Sequence, residues 1–141
     1  MEQRISLITL GVRDMAGVAA FYEALGWQRV ETQDGVIAFD LLGQTLGLYP
    51  LEKLAEDIGI AVEDMGRGGT TFSYNVRDKG EVAPLLAQAE AAGGRILRAA
   101  SDVFWGGHIG YFADPEGNIW EVSHNPYSPL SGEGAFRWNG Y

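Results

Sequence analysis

An α+β fold is what this sequence predicts: two βαβββ units forming paired curved sheets around a central groove. Three observations lead there. The chain repeats itself, each repeat runs from an apolar strand into a capped helix, and each repeat closes on two strands joined by a turn. Val12-Arg13-Asp14 recurs 64 residues later as Val76-Arg77-Asp78, and Asp40 to Leu48 is matched 74 residues on by Asp114 to Val122. Duplicated units usually pack together and leave a groove between equivalent strands, so the groove is where function is expected.

The elements follow in order. Ile5 to Val12 reads as an apolar strand. Asp14 caps the next helix, in which Val18, Phe21, Tyr22 and Leu25 make one apolar face and Gly26 is the stop. Short strands are expected near Trp27–Thr32, Val36–Phe39 and Thr45–Tyr49, the last two joined by the Asp40–Gly43 turn. Leu51 to Ile58 has room for a helical turn or two. In the second copy Thr70–Val76 is a strand, and Asp78 and Glu81 have capping-box spacing ahead of a helix to about Ala92, ended by Gly93-Gly94. Strands then fit Arg95–Ala99, Gly107–Ala113 and Asn118–His124, the last two joined by the Asp114–Gly117 turn. The tail is rich in Pro, Gly and Ser, yet Tyr127, Phe136, Trp138 and Tyr141 are expected to pack on the body of the protein.

Residues 1–141 are thus read as one domain: repeat one about 4–50, linker about 51–69, repeat two about 70–125 and tail 126–141. Each half alone has too little core, and pairing the two sheets supplies it. Ten basic against 19 acidic residues give a formal charge of −9, which argues against nucleic acid or an anionic membrane as partner. A small anionic ligand stays open, because one local arginine would suffice. No apolar run is long enough to span a membrane and no signal-peptide core opens the chain, so a cytoplasmic protein is expected. With no cysteine there is neither a disulfide framework nor a thiolate ligand or nucleophile.

Two stretches carry a resemblance. Leu10-Gly11-Val12-Arg13-Asp14-Met15 with Phe21-Tyr22-Glu23-Ala24-Leu25-Gly26, and Tyr111 to Asn118 with Ile119-Trp120-Glu121, resemble the opening helix and closing hairpin of the vicinal-oxygen-chelate superfamily. That superfamily holds glyoxalases, extradiol dioxygenases, and bleomycin and fosfomycin resistance proteins. The resemblance spans about residues 5–125 and implies the duplicated fold. It leaves the chemistry open, because the scaffold hosts enzymes and binding proteins alike. By analogy it also implies a homodimer. In the metal-dependent members, His and Glu side chains on four strands hold a divalent ion. Carried onto this chain, those positions are Leu7, Gly47, Thr71 and Glu121. Leu7 and Gly47 offer no donor atom and Thr71 only a neutral hydroxyl, whereas a zinc, nickel or iron site normally needs three or more imidazole, carboxylate or thiolate ligands. No metal and no cofactor are therefore expected.

Strand alternation sorts what remains. With Glu121 facing the groove, Ile119 and Ser123 do too, while Trp120, Val122 and His124 face the helices. Leu7, Thr9, Thr71, Ser73 and Asn75 point inward. Pairing Ala113 with Asn118 across the turn would put Gly110 beside Glu121, and His108 on the same face as Glu121. Glu121 then has two readings. It is a carboxylate in a partly apolar cleft that acts as general base or accepts a ligand hydrogen bond, or it is tied to neighbouring hydroxyls or to an arginine such as Arg4. His108 is an acid/base partner or bonds a loop carbonyl. Trp105, flanked by glycine, is a ligand wall or packs on the tail. No Gly-x-Ser-x-Gly elbow or phosphate loop is present.

Three functions follow, in order. The first is a metal-free binding protein that holds a small, partly apolar or aromatic molecule against Leu7, Thr9, Gly47, Thr71, Ser73, Asn75, Trp105 and Glu121. The second is a metal-independent lyase, isomerase or hydrolase using Glu121 as general base, alone or with His108; a lyase or isomerase of the glyoxalase type could use Glu121 with or without a divalent metal. The third is a metal enzyme with displaced ligands: His108, Glu121 and one more.

Overall fold

The computed structural model describes residues 3, 5–30, 32, 35–66 and 69–141, in two compact units covering 1–69 and 70–141. Arg4, named above as a partner for Glu121, lies outside the described residues, as does Glu31 within the second expected strand.

The first unit runs β1 (Leu7–Val12), α1 (Met15–Ala24), β2 (Arg29–Val30), β3 (Ile37–Asp40), β4 (Thr45–Pro50) and α2 (Leu51–Ile58). Its sheet has the order β1-β4-β3-β2, with β1 parallel to β4 and the other neighbours antiparallel. The Asp14 carboxylate starts α1 by accepting from Gly17 N at 2.9 Å. A Cβ at position 17 would sit 2.2 Å from Asp14 Oδ2, so a larger residue there would have to displace the capping carboxylate. Val18, Phe21 and Tyr22 are buried as the periodicity requires. Tyr22 stacks on Trp27 at 5.0 Å and leans on Phe39 at 5.8 Å. With Leu46 and Leu48 these form the core on the α1 side of the sheet. Each fully buried side chain of this kind contributes about 1.5–3 kcal/mol.

The second unit runs β5 (Phe72–Asn75), α3 (Val82–Ala91), β6 (Arg95–Asp102), β7 (His108–Ala113) and β8 (Ile119–His124), with sheet order β5-β8-β7-β6. Again the first strand lies parallel to the last. The expected capping box forms: the Asp78 carboxylate accepts from Gly80 N at 2.7 Å, and Glu81 Oε1 accepts from Asp78 N at 2.8 Å. The first turn, Lys79–Glu81, is 3₁₀, and α3 proper begins at Val82. Pro84 sits in its first turn, where the missing N–H interrupts no helical bond. Val82, Leu86 and Ala89 are buried, as are Phe112, Trp120 and Val122 of the sheet. Trp120 lies parallel to Phe112 at 6.2 Å and meets Phe72 at 5.1 Å. β6 continues three residues beyond its expected end at Ala99 and carries two register shifts, the irregularities of a bulged edge strand.

The tail departs from expectation. Tyr127, Phe136, Trp138 and Tyr141 are all exposed, Trp138 at 79%. Phe136 and Trp138 meet edge to face, and Arg137 lies over the Tyr141 ring. Polar groups hold the segment instead: Ser128 Oγ accepts from Asn139 N, Ser131 Oγ accepts from Ala135 N, and Arg77 donates to the Gly132 carbonyl. Among the described residues no helix is long and apolar enough to cross a membrane.

Candidate functional site

The geometry of the site is set by one turn. Asp114 N donates to the Asn118 carbonyl at 2.9 Å, and Gly117 N donates to the Asp114 carbonyl at 3.0 Å. The Asp114 carboxylate, buried, accepts from Glu116 N, Asn118 N and Asn118 Nδ2. Gly117 has φ +91°. This is a three-residue loop, a type I turn followed by a left-handed glycine. Pairing Ala113 with Asn118 assumes four loop residues. The true partners are Ala113 with Ile119, Tyr111 with Glu121 and His108 with His124. A one-residue slip exchanges the faces of a strand. Tyr111, and not Gly110, is therefore the neighbour of Glu121, while His108 lies on the α3 side of the sheet, away from Glu121. The two cannot share a proton or a metal ion.

What the second sheet brings together, on the face away from α3, is a row crossing all four strands. Ser73 on β5 pairs with Glu121 on β8, Glu121 with Tyr111 on β7, and Tyr111 with Arg98 on β6. Tyr111 Oη donates to Glu121 Oε2 at 2.5 Å, and Ser73 Oγ donates to Glu121 Oε1 at 3.2 Å. Each carboxylate oxygen thus has one fixed donor and a lone pair to spare. The bond to Glu121 raises the Tyr111 phenol above its ordinary pKa, burial and the carboxylate charge add to this, and the charge of Arg98 works against it. Arg98 itself is exposed and donates to Ser101 Oγ at 3.1 Å. Asn75 pairs with Ser123 one step along the same face. Thr71, exposed, precedes β5.

The other expected residues fall elsewhere. Leu7 and Thr9 are exposed on the face of the first sheet away from α1; Thr9 pairs with Gly47, which pairs with Ala38. A Cβ at Gly47 would lie 3.3 Å from a Leu7 methyl, so Leu7 closes over the glycine. Trp105 is half-buried in the Val103–Gly107 turn and lies over Gly107, where a Cβ would be 1.9 Å from the indole. His108 Nδ1 lies 2.7 Å from Asp102 Oδ1, and Lys79 Nζ lies 2.6 Å from the same oxygen. Lys79 first and His108 second hold the Asp102 carboxyl below its usual range. This chain of contacts fastens the β6–β7 ends to the turn entering α3. His124 Nδ1 is buried with no hydrogen-bond partner among the described residues.

Sequence reasoning alone misses Tyr111 and Arg98. Asp-Pro-Glu-Gly-Asn, with proline in the first loop position and glycine in the left-handed one, is the signal that could have found Tyr111. Arg98 has none, because bulges in β6 break simple alternation.

A divalent ion does not suit these side chains. Glu121 is the one carboxylate in the row, its companions are two neutral hydroxyls and a guanidinium, and both its oxygens already accept hydrogen bonds. Among the described residues no three His, Asp or Glu side chains are grouped to hold a metal ion.

Two βαβββ units with matching strand order, one carrying an oriented carboxylate on its sheet, define a protein built by duplication of a single α+β module. The chain belongs to the Glyoxalase/Bleomycin resistance protein/Dioxygenase superfamily, whose family model matches residues 4–122. A crystal structure of a glyoxalase-related enzyme from Fulvimarina pelagi is 38% identical, with a TM-score of 0.90, covering 99% of this chain and 100% of that one. Two more distant structures share the fold. A family enzyme from Burkholderia phytofirmans PsJN is 22% identical (TM-score 0.77, 86% of this chain and 98% of that one). A lactoylglutathione lyase from Agrobacterium tumefaciens is 24% identical (TM-score 0.65, 88% and 95%). No curated protein matches the chain.

Proposed function

We propose that the protein binds a small, partly apolar or aromatic molecule on the second sheet's face away from α3, without a bound metal, and that Glu121 accepts a hydrogen bond from it. The observation that supports this reading is the clamp on Glu121: Tyr111 and Ser73 each donate to one oxygen and fix the carboxylate plane. A carboxylate oriented in advance spends less conformational entropy when a ligand arrives. Its half-buried setting strengthens the bond it makes. Asn75 supplies a further polar contact, while Ile119, on the same face as Glu121, offers apolar surface.

The test is thermal unfolding against a panel of small aromatic and aliphatic molecules bearing N–H or O–H donors. A ligand at a hundred times its dissociation constant adds about 2.7 kcal/mol. Glu121→Gln should remove most of that gain while leaving the unliganded protein near its original stability. A panel that stabilises wild type and the Gln variant equally would refute the assignment of Glu121.

A second reading has its own observation. The 2.5 Å bond from Tyr111 fixes the Glu121 carboxylate with lone pairs still free, which suits a lyase or isomerase in which Glu121, as general base, takes a proton from the substrate and returns it after rearrangement. The 38% identical relative is described as an enzyme, which favours testing for turnover. In that case Glu121→Gln abolishes turnover and spares binding.

A further inference from the structure

We infer that the ligand carries an anionic group, a carboxylate or its equivalent, bound by Arg98, with its hydrogen-bond donor at the Glu121 end of the same row. This rests on the proposed binding of a small molecule at Glu121 and names its chemical class.

The register supplies the geometry. Ser73, Glu121, Tyr111 and Arg98 are successive cross-strand partners, so their side chains form one line across β5, β8, β7 and β6. Despite the flanking bulges, the Arg98 head lies on the Glu121 face: it donates to Ser101, the partner of Ile109 on that face, and its charge reaches the Tyr111 phenol. Neighbouring strands are about 4.8 Å apart, so the Glu121 and Arg98 backbones, two strands apart, are separated by about 10 Å. An acceptor at one end and a cation at the other fit a molecule with a donor and an anion about an aromatic ring and a short chain apart.

The charge pattern supports the assignment. The chain carries 19 acidic residues against 10 basic ones, yet among the described residues no acid lies within salt-bridge distance of Arg98. One NH2 is bonded to a neutral hydroxyl, which leaves the rest of the guanidinium fork available. Arginine matches a carboxylate with two parallel bonds, about twice as strong as neutral hydrogen bonds. A net charge of −9 opposes anions in general, so an anionic ligand here needs such a local cation. Tyr111, between Arg98 and Glu121 in the row, donates its hydrogen bond to Glu121, so the two charged ends remain separate binding points.

The probes are para-hydroxyphenylpropanoate, its methyl ester and phenylpropanoate, titrated by calorimetry into wild type, Arg98→Gln, Arg98→Lys and Glu121→Gln. On wild type the hydroxy acid should bind about ten- to a hundredfold more tightly than its ester. Arg98→Gln should bring the acid down to the ester without weakening the ester. Arg98→Lys should restore part of the gap, and high salt should narrow it on wild type. Phenylpropanoate, which lacks the donor, should bind more weakly than the hydroxy acid on wild type and be indifferent to Glu121→Gln. Equal binding of acid and ester to wild type overturns the anion assignment and leaves the proposed function standing. So does an acid–ester gap that survives Arg98→Gln. Failure of all three probes to bind overturns the anion assignment, while the thermal panel above decides the proposed function separately.

Discussion

Thr9, Gly47 and Ala38 in the first sheet and Ser73, Glu121 and Tyr111 in the second occupy the same places in the same arrangement of strands. In each unit the first strand lies parallel to the last, which pairs antiparallel with the strand before it. Yet one row presents a methyl, a hydroxyl and a glycine, and the other a clamped carboxylate. The helix-facing positions diverge far less: Phe39 and Phe112 correspond, and both are buried beside large partners, Leu46 and Trp120. The physical reason is that the helix side is a close-packed interior, where volume changes are costly, whereas the open face is not packed by its own unit's helix. The two copies agree on the helix side and differ on the open face.

The sharpest test sets the two faces against each other. Phe39→Ala and Phe112→Ala should each cost about 3–5 kcal/mol in denaturant unfolding, against a small change for Glu121→Gln. If the Gln variant proved equally destabilised, the polar row would be structural and the contrast would fail.

Glycines give a finer comparison. At Gly110 a Cβ would lie 2.4 Å from a Leu86 methyl and 3.1 Å from the Arg98 carbonyl oxygen; at Gly47 the nearest atom is a Leu7 methyl at 3.3 Å. Gly110→Ala should lose about 1–3 kcal/mol by overpacking. Gly47→Ala, whose two nearest neighbours are the movable Leu7 and Val36 side chains with the Ile8 carbonyl oxygen at an ordinary 3.9 Å, should lose less than about 1 kcal/mol. Equal losses would mean that the first sheet's open face is packed as tightly as a core.

The smallest effect is at alkaline pH. Tyr111 is raised chiefly by its bond to Glu121, and Tyr49 of the first unit chiefly by its bond to Asp57. A raised phenol stabilises the fold below the unfolded tyrosine value, about 10, and that contribution is lost as pH climbs through the folded value. Tyr111→Phe should therefore flatten part of the stability decline above about pH 10 and leave the remainder to Tyr49. A decline unchanged by the substitution would deny the Tyr111–Glu121 bond.

Much of the fold is legible in the amino-acid sequence. The helix cap at Asp14, the box at Asp78 and Glu81, and the buried faces of α1 and α3 follow from short-range rules that a single chain obeys locally. In the candidate row, Glu121 and Ser73 share the face that alternation assigns them, because strand alternation needs only the face of one residue. Tyr111 and His108 are exchanged because register depends on counting loop residues, and one miscounted residue turns the whole strand over. The tail aromatics are misjudged for a related reason. Apolar content says that burial would be favourable, and it does not say whether a surface is within reach.

Local chemistry in the chain determined the repeated βαβββ pattern, the caps that start its helices, and a donor set poor in metal ligands. Those depend on residue identity and spacing over a few positions. The Asp114–Asn118 turn, a local motif, sets Tyr111 beside Glu121. That Ser73 and Arg98 join the same row was decided by the tertiary structure alone, because the parallel pairing of β5 with β8 and the bulges of β6 join parts of the chain that no local rule connects.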